Sequence, residues 1–181
     1  TDRLTYWAKA EPDRVFLAER DATGGWRTLT YRDAEAQTRR IASALLARDL
    51  SPERPIAILS GNDIAHGLLS LAAMRAGIPY APISPAYALM STDHARLRGI
   101  LERLTLGLLY VEDGHLYAKA IAAAVPPGVE IVAPGNHALD RPLTAFASLL
   151  EPAAPTATVD AEQTRAGPHT IAKILHTSGS T

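Results

Sequence analysis

The sequence predicts an α/β fold, a mostly parallel sheet flanked by helices and preceded by an N-terminal β-hairpin. Two observations carry that prediction. Short apolar runs (residues 55–59, 78–83, 106–111 and 129–132) alternate with longer segments whose apolar residues recur at helical spacing. The runs are apolar nearly throughout, as strands covered by helices on both faces must be. A third observation sets the class. The chain is 47% hydrophobic with a formal net charge of −1, a composition that collapses around a core rather than staying disordered.

Taken in order, residues 14–31 read as the hairpin. Val15, Phe16 and Leu17 form one apolar run and residues 26–29 another, and Asp21-Ala22-Thr23-Gly24-Gly25 supplies the reversal. Thr30 is placed to cap a helix over residues 31–48, with Asp33 in its first turn. Ala34, Thr38, Ile41, Leu45 and Leu46 give that helix one buried face. Residues 55–59 form a buried strand that ends at Gly61-Asn62-Asp63. A helix over 64–76 follows and stops at Gly77. Residues 78–83 form a second strand whose prolines place it near an edge. Ser91 is expected to cap a helix reaching Arg103, and Leu97, Ile100, Leu101 and Leu104 form its inner face. A strand over 106–111, a helix over 116–124 and a strand over 129–132 complete the alternation. Residues 151–169, rich in Pro, Ala and Thr, read as a surface linker. Residues 171–175 read as another buried strand.

Composition excludes several functions. A charge balance of 18 Lys and Arg against 19 Asp and Glu does not suit a protein that neutralises nucleic-acid phosphates. With no cysteine there is no disulfide framework, thiolate nucleophile or cysteine zinc site. The longest apolar runs fall short of the ~20 residues needed to span a membrane. The first residues lack the basic and apolar regions of a signal peptide, so the expected location is the cytoplasm. The chain does not begin with Met, so a leader or the native start is expected to be missing.

The chemistry concentrates at the C-terminal end. His176-Thr177-Ser178-Gly179-Ser180-Thr181 offers hydroxyls and backbone N–H groups in a small space, a composition that suits an anion but also an ordinary turn. No Gly-x-Gly-x-x-Gly or Gly-Lys-Ser/Thr motif is present, and Ser178 lacks the Gly-x-Ser-x-Gly frame of a nucleophile elbow. The six histidines (His66, His94, His115, His137, His169 and His176) have no metal-pair spacing. Asp33, Asp63, Asp93 and Glu102 suit capping or solvation. Arg39-Arg40, and Arg96 with Arg98, suit a solvated helix face. Tyr80 and Tyr87, set among prolines, suit packing more than a cleft.

Several of these features, in this order, resemble the adenylate-forming acyl-CoA synthetases. They are Leu29-Thr30-Tyr31 before a helix, Ile56-Ala57-Ile58-Leu59 before Gly61-Asn62, the run from Ala73-Met74-Arg75-Ala76-Gly77 through Ile78-Pro79-Tyr80-Ala81-Pro82-Ile83, and Ile174-Leu175-His176-Thr177-Ser178-Gly179-Ser180-Thr181. The resemblance covers essentially the whole chain. Ala81-Pro82-Ile83-Ser84-Pro85-Ala86-Tyr87 with Leu89-Met90-Ser91 resembles the feruloyl-CoA synthetase branch.

The resemblance implies that residues 1–181 are the N-terminal portion of a large AMP-binding domain, with the rest of that domain and a C-terminal lid absent. It implies ATP, Mg2+ and coenzyme A for the full-length enzyme, a small-molecule carboxylic acid as substrate, and Thr177, Ser178, Gly179, Ser180 and Thr181 as the start of a phosphate-binding loop. It assigns no catalytic residue and no metal ligand within this chain. Members of the family often carry an aromatic residue where His176 stands. The chain alone is expected to be inactive, and to self-associate through apolar surface where the absent body would lie. Two other readings stay open: a binding or interaction domain without catalysis, and another adenylating enzyme such as an amino-acid-activating domain.

Overall fold

A computed structural model of the chain describes residues 2–135, 140–151 and 156–176. It opens with a helix that the sequence did not announce, α1 (Asp2–Ala10). The hairpin follows as β1 (Val15–Arg20) and β2 (Trp26–Thr30), antiparallel, with Arg20 opposite Trp26. Asp21 closes its turn by accepting the backbone N–H groups of Thr23 (2.8 Å) and Gly25 (2.9 Å). The Thr23 hydroxyl, which donates to the same carboxylate at 2.7 Å, and then these N–H groups stabilise the charged form and hold its carboxyl below the usual carboxylate range.

α2 (Tyr31–Leu46) begins at Thr30, whose hydroxyl accepts the N–H of Asp33, as expected. β3 (Ile56–Leu59) leads into α3 (Ile64–Arg75) through an Asp63 cap. Gly77, at φ 68°, closes α3. There the Ile78 N–H returns to the Ala73 carbonyl at 2.9 Å, a left-handed C-terminal cap that a side chain would strain. β4 (Tyr80–Ile83) is followed by a short α4 (Ala86–Leu89) and then α5 (Ala95–Arg103). Ser91 accepts the His94 N–H at 3.0 Å, so it caps a turn just outside the helix expected to start there. β5 (Leu108–Val111), α6 (Ala118–Ala124) and β6 (Glu130–Ala133) complete the alternation. A two-residue β7 (Thr144–Ala145) and a 3₁₀ helix (Phe146–Leu150) come after it.

Two expectations are corrected. The presumed linker over 151–169 contains α7 (Thr156–Arg165). Its only fully enclosed side chain among those described is Val159, so one residue carries the packing that a stripe usually carries. Residues 171–175 form no buried strand. Lys173 makes a single parallel bridge to Tyr80, and Ile171 and Leu175 are 58% and 62% exposed. The segment lies on the outer edge of the sheet, where nothing among the described residues covers both of its faces.

The central sheet has strand order β4-β3-β5-β6-β7, all parallel. The hairpin forms a separate two-stranded sheet. Alternate strand residues face opposite sides, and the core divides accordingly. Ile56, Ile58, Leu108, Tyr110 and Val132 pack with α2 and α3 on one face. Ala57, Leu59, Leu109, Val111 and Ile131 pack with α5 and α6 on the other. On the first face, the fully buried Arg75 of α3 forks onto Glu35 of α2 at 3.0 and 2.5 Å. Glu35 also accepts from Arg39 (2.9 Å) and Thr5 (3.1 Å), and Arg39 reaches Asp160 (2.6 Å). The Glu35 carboxylate therefore ties α1, α2 and α3 together, and Arg39 extends the network to α7 through Asp160. Arg39 is accordingly a docking residue rather than part of a solvated face.

Candidate functional site

The strand order reverses at β3. The chain runs from β3 outward to β4, then returns to place β5 on the other side of β3. In open α/β sheets the crevice beyond the carboxyl ends of two such strands is where ligands sit. Here those ends carry Ser60-Gly61-Asn62-Asp63 after β3 and Glu112-Asp113 after β5. Glu112 accepts the Gly61 N–H at 2.9 Å and the Tyr117 hydroxyl at 2.7 Å. A Cβ at Gly61 would stand 3.2 Å from the Glu112 carboxylate, so a larger residue there would make that side chain give by a few tenths of an ångström. Asp63 accepts the His66 N–H at 2.6 Å, and Glu19 of the hairpin accepts the Ile64 N–H. The start of α3 is thus held by two carboxylates.

Above these groups lies a cavity of about 440 Å³. Ile64, Leu68, Phe146 and Leu150 supply apolar wall, while Glu19, Asp63 and Glu112 bring negative charge. Burial pushes the Asp63 carboxyl upward, and Glu112 and Glu19 add to the shift against the His66 N–H. Burial, with Asp63 next, raises Tyr110. The electrostatics decide what this crevice holds badly. Arg27 lines the same cavity and pairs with Glu19 at 2.7 Å, so Asp63 and Glu112 supply the excess negative charge, which disfavours the phosphates of a nucleotide. Glu19, Tyr110 and Glu112 were not singled out from the sequence, since the strand order that joins them has no local signature.

The opposite charge gathers beside the C-terminal segment. A second cavity of about 440 Å³ lies between α5 and that segment, lined by Arg96, Gly99, Ile100, Arg103, Leu175 and His176. The His176 Nε2 is enclosed without a hydrogen-bond partner. Burial lowers its basicity and Arg103 lowers it further, so the ring is neutral at pH 7. Arg96 lies over the Tyr87 ring at 4.7 Å, which makes Tyr87 a packing residue, as expected. Tyr80 is buried in the core on the other face. The residues expected to hold an anion, Thr177, Ser178, Gly179, Ser180 and Thr181, lie outside the described residues, as does His137. Arg96 and Arg103 of α5, beside Leu175 and His176, carry charge that suits an anion, and the switch-point crevice does not.

Among the described residues no group of His, Asp or Glu converges as a metal site. Nor is any helix among them long and apolar enough to cross a membrane. Asp63 and Asp93 cap backbone N–H groups, as the sequence suggested.

Comparison with known proteins gives this geometry a context. The chain is 27% identical over 179 residues to indigoidine synthase of Dickeya dadantii (strain 3937), covering 99% of this chain and 11% of that protein. It superposes on the fatty acyl-adenylate ligase of L. pneumophila, crystallised with acyl adenylate and pyrophosphate, with a TM-score of 0.66 at 18% identity, covering 99% of this chain and 28% of that one. It superposes equally on VinN in complex with L-aspartate, with a TM-score of 0.66 at 21% identity, covering 98% and 44%. The chain thus spans less than half the length of each of these relatives. The family described as AMP-binding enzyme matches residues 4–181, essentially every residue described above. On that match the chain belongs to the AMP-binding enzyme family.

Proposed function

We propose that the chain is the N-terminal portion of the large AMP-binding domain of a ligase that activates a carboxylic acid with ATP. The observation that supports this most is the run Thr177-Ser178-Gly179-Ser180-Thr181, which directly follows a segment hydrogen-bonded beside β4 and flanked by Arg96 and Arg103. In this reading a carboxylate oxygen of the acid attacks the α-phosphorus of ATP. The bond from that phosphorus to the oxygen bridging it to the β-phosphate breaks, and pyrophosphate leaves with the electron pair.

The backbone N–H groups and hydroxyls of residues 177–181 hold the β- and γ-phosphates and stabilise the charge that grows on them. Mg2+ enters with the nucleotide and supplies further charge neutralisation. Coenzyme A then displaces AMP through its thiol, giving the thioester. The groups that bind adenine, acid and coenzyme A belong to the remainder of the enzyme, so no residue here is assigned a catalytic role.

For the acid we propose a hydroxycinnamate such as ferulate, on the resemblance of residues 81–91 to the feruloyl-CoA synthetase branch. A second reading, activation of an amino acid, is favoured by the likeness to indigoidine synthase and to VinN bound to L-aspartate. The proposed location is the cytoplasm.

Acid-dependent exchange of labelled pyrophosphate into ATP decides among these readings. The full-length enzyme should exchange with ferulate and not with amino acids, and the isolated 181-residue chain should stay at background. Exchange with an amino acid alone would replace the first reading by the second. Exchange well above background in the isolated chain would refute the assignment of the catalytic groups to other segments.

A further inference from the structure

A docked helix normally turns an apolar stripe towards its neighbours. α7 does not. Among its described side chains Val159 alone is fully enclosed, and two cavities flank the helix where a stripe would pack. One, of about 520 Å³, is bounded by Asp2 and Thr5 of α1, Arg39 of α2, and Asp160 and Gln163 of α7. The other, of about 240 Å³, is bounded by Met74 of α3, Ile78, Gln163 and Ala166. The Gln163 Oε1 is enclosed and has no hydrogen-bond partner.

The contacts that hold α7 are mostly polar. Arg39 donates to Asp160 at 2.6 Å, and the Gln163 amide donates to Asp2 at 2.7 Å. The two side chains of the ion pair are 24% and 52% exposed, so salt reaches and screens it. The inner part of the network is complete without α7. Arg39 also donates to Glu35 at 2.9 Å, and Glu35 is fixed by the fully buried Arg75 and by Thr5. Releasing Asp160 therefore strands no buried charge, the loss that makes a buried pair hard to open. Beyond α7 the chain stays anchored. The Thr170 N–H closes a turn on the Gly167 carbonyl at 3.0 Å. The Tyr80 N–H then bonds the Ala172 carbonyl at 3.3 Å, and the Ile174 N–H bonds the Tyr80 carbonyl at 2.9 Å.

We propose that α7 is a salt-sensitive strap over a covered cleft: it releases from the α1–α2–α3 face while that face stays folded, and the Arg39–Asp160 pair is its latch. The contacts given up are the burial of Val159, one solvent-open ion pair and one amide hydrogen bond, which puts α7 at the low-stability end of the molecule. Gln163 and Ala166 wall both cavities, so release joins the two into one cleft. Arg39, Met74 and Ile78 line that cleft, which exists only in the open form.

The test is hydrogen exchange on the full-length enzyme, read at the amides of residues 160–165, which bond within α7. These amides should exchange through an opening that leaves α2 and α3 protected. Raising NaCl from about 0.05 M to about 0.5 M should speed their exchange about threefold and leave α2 and α3 unchanged. Asp160→Asn keeps the size of the side chain and removes its charge. It should speed α7 exchange about fivefold at low salt and flatten the salt response. Asp160→Glu, which keeps the charge, should retain that response.

Exchange of α7 only together with α2 and α3, at one common rate, would overturn the strap. A salt response of wild-type size in Asp160→Asn would overturn the latch, since screening would then act elsewhere.

Discussion

Thr38 lies in the middle of α2 with no exposed surface, and its hydroxyl has no partner. A buried, unpaired hydroxyl costs about 1–3 kcal/mol, so Thr38→Val should stabilise the chain by roughly 1 kcal/mol, read as a higher urea midpoint at unchanged slope. Asp63 makes the opposite case. Its carboxylate holds the first turn of α3, and Asp63→Ala should cost about 1 kcal/mol. Asp63→Asn keeps the cap and removes the charge. Burial, with Glu112 and Glu19 nearby, raises the folded-state value above the ordinary 3.8. Between 3.8 and that raised value the folded chain therefore binds more protons than the unfolded one. The resulting stability is present at low pH and is lost as pH rises through the folded value. Relative to Asp63→Asn, the wild type should lose stability as pH increases from about 4, and urea melts of both across that range would measure it. The cap was legible in the sequence because it acts within three residues. The charge that perturbs it was not, because Glu19 and Glu112 arrive from other elements.

At the scale of elements the same division holds. α2, α3 and the hairpin announced themselves through local chemistry, such as the Thr30 cap, the Gly77 terminus and the Asp21 turn. α7 did not. Its sequence, TATVDAEQTR, carries one enclosed apolar side chain and three β-branched residues in its first turn, a weak intrinsic helix former. Contacts from outside hold it: Arg39 to Asp160, and Gln163 to Asp2 at 2.7 Å. Residues 171–175 erred the other way, since an apolar run reads as buried whether or not a covering layer exists. The Arg75–Glu35 pair is what joins these helices, and no local pattern reports it. Arg75→Ala would leave Glu35 with Arg39 and Thr5 while removing a fully buried cation and its fork. A loss of about 3 kcal/mol is expected, measured by chemical denaturation. Hydrogen exchange should locate the loosening at the α1–α2–α3 contacts and leave α5 and α6 protected.

At the scale of the whole molecule, the sheet is a partition. Leu45 of α2 and Leu101 of α5 are both fully buried, in cores that meet opposite faces of the same strands. Each truncation to Ala removes apolar area and leaves a cavity, at a cost of about 2–5 kcal/mol. The two side chains belong to different clusters and share no partner in either, so the cavities cannot relax into one another. Unfolding exposes both cores together, because β3 and β5 contribute alternate residues to each and neither face persists without them. Leu45→Ala and Leu101→Ala should therefore add to within about 0.5 kcal/mol, with a single transition by circular dichroism and by tryptophan fluorescence. Trp7 and Trp26 both lie on the N-terminal side, in α1 and the hairpin, so fluorescence reports one face while circular dichroism reports the whole chain. Separate transitions in the Leu101→Ala variant would mean that the α5–α6 face unfolds on its own. The sheet would then divide the molecule into two stabilities, with the segment leading to His176 anchored, through Ile174, to the weaker one.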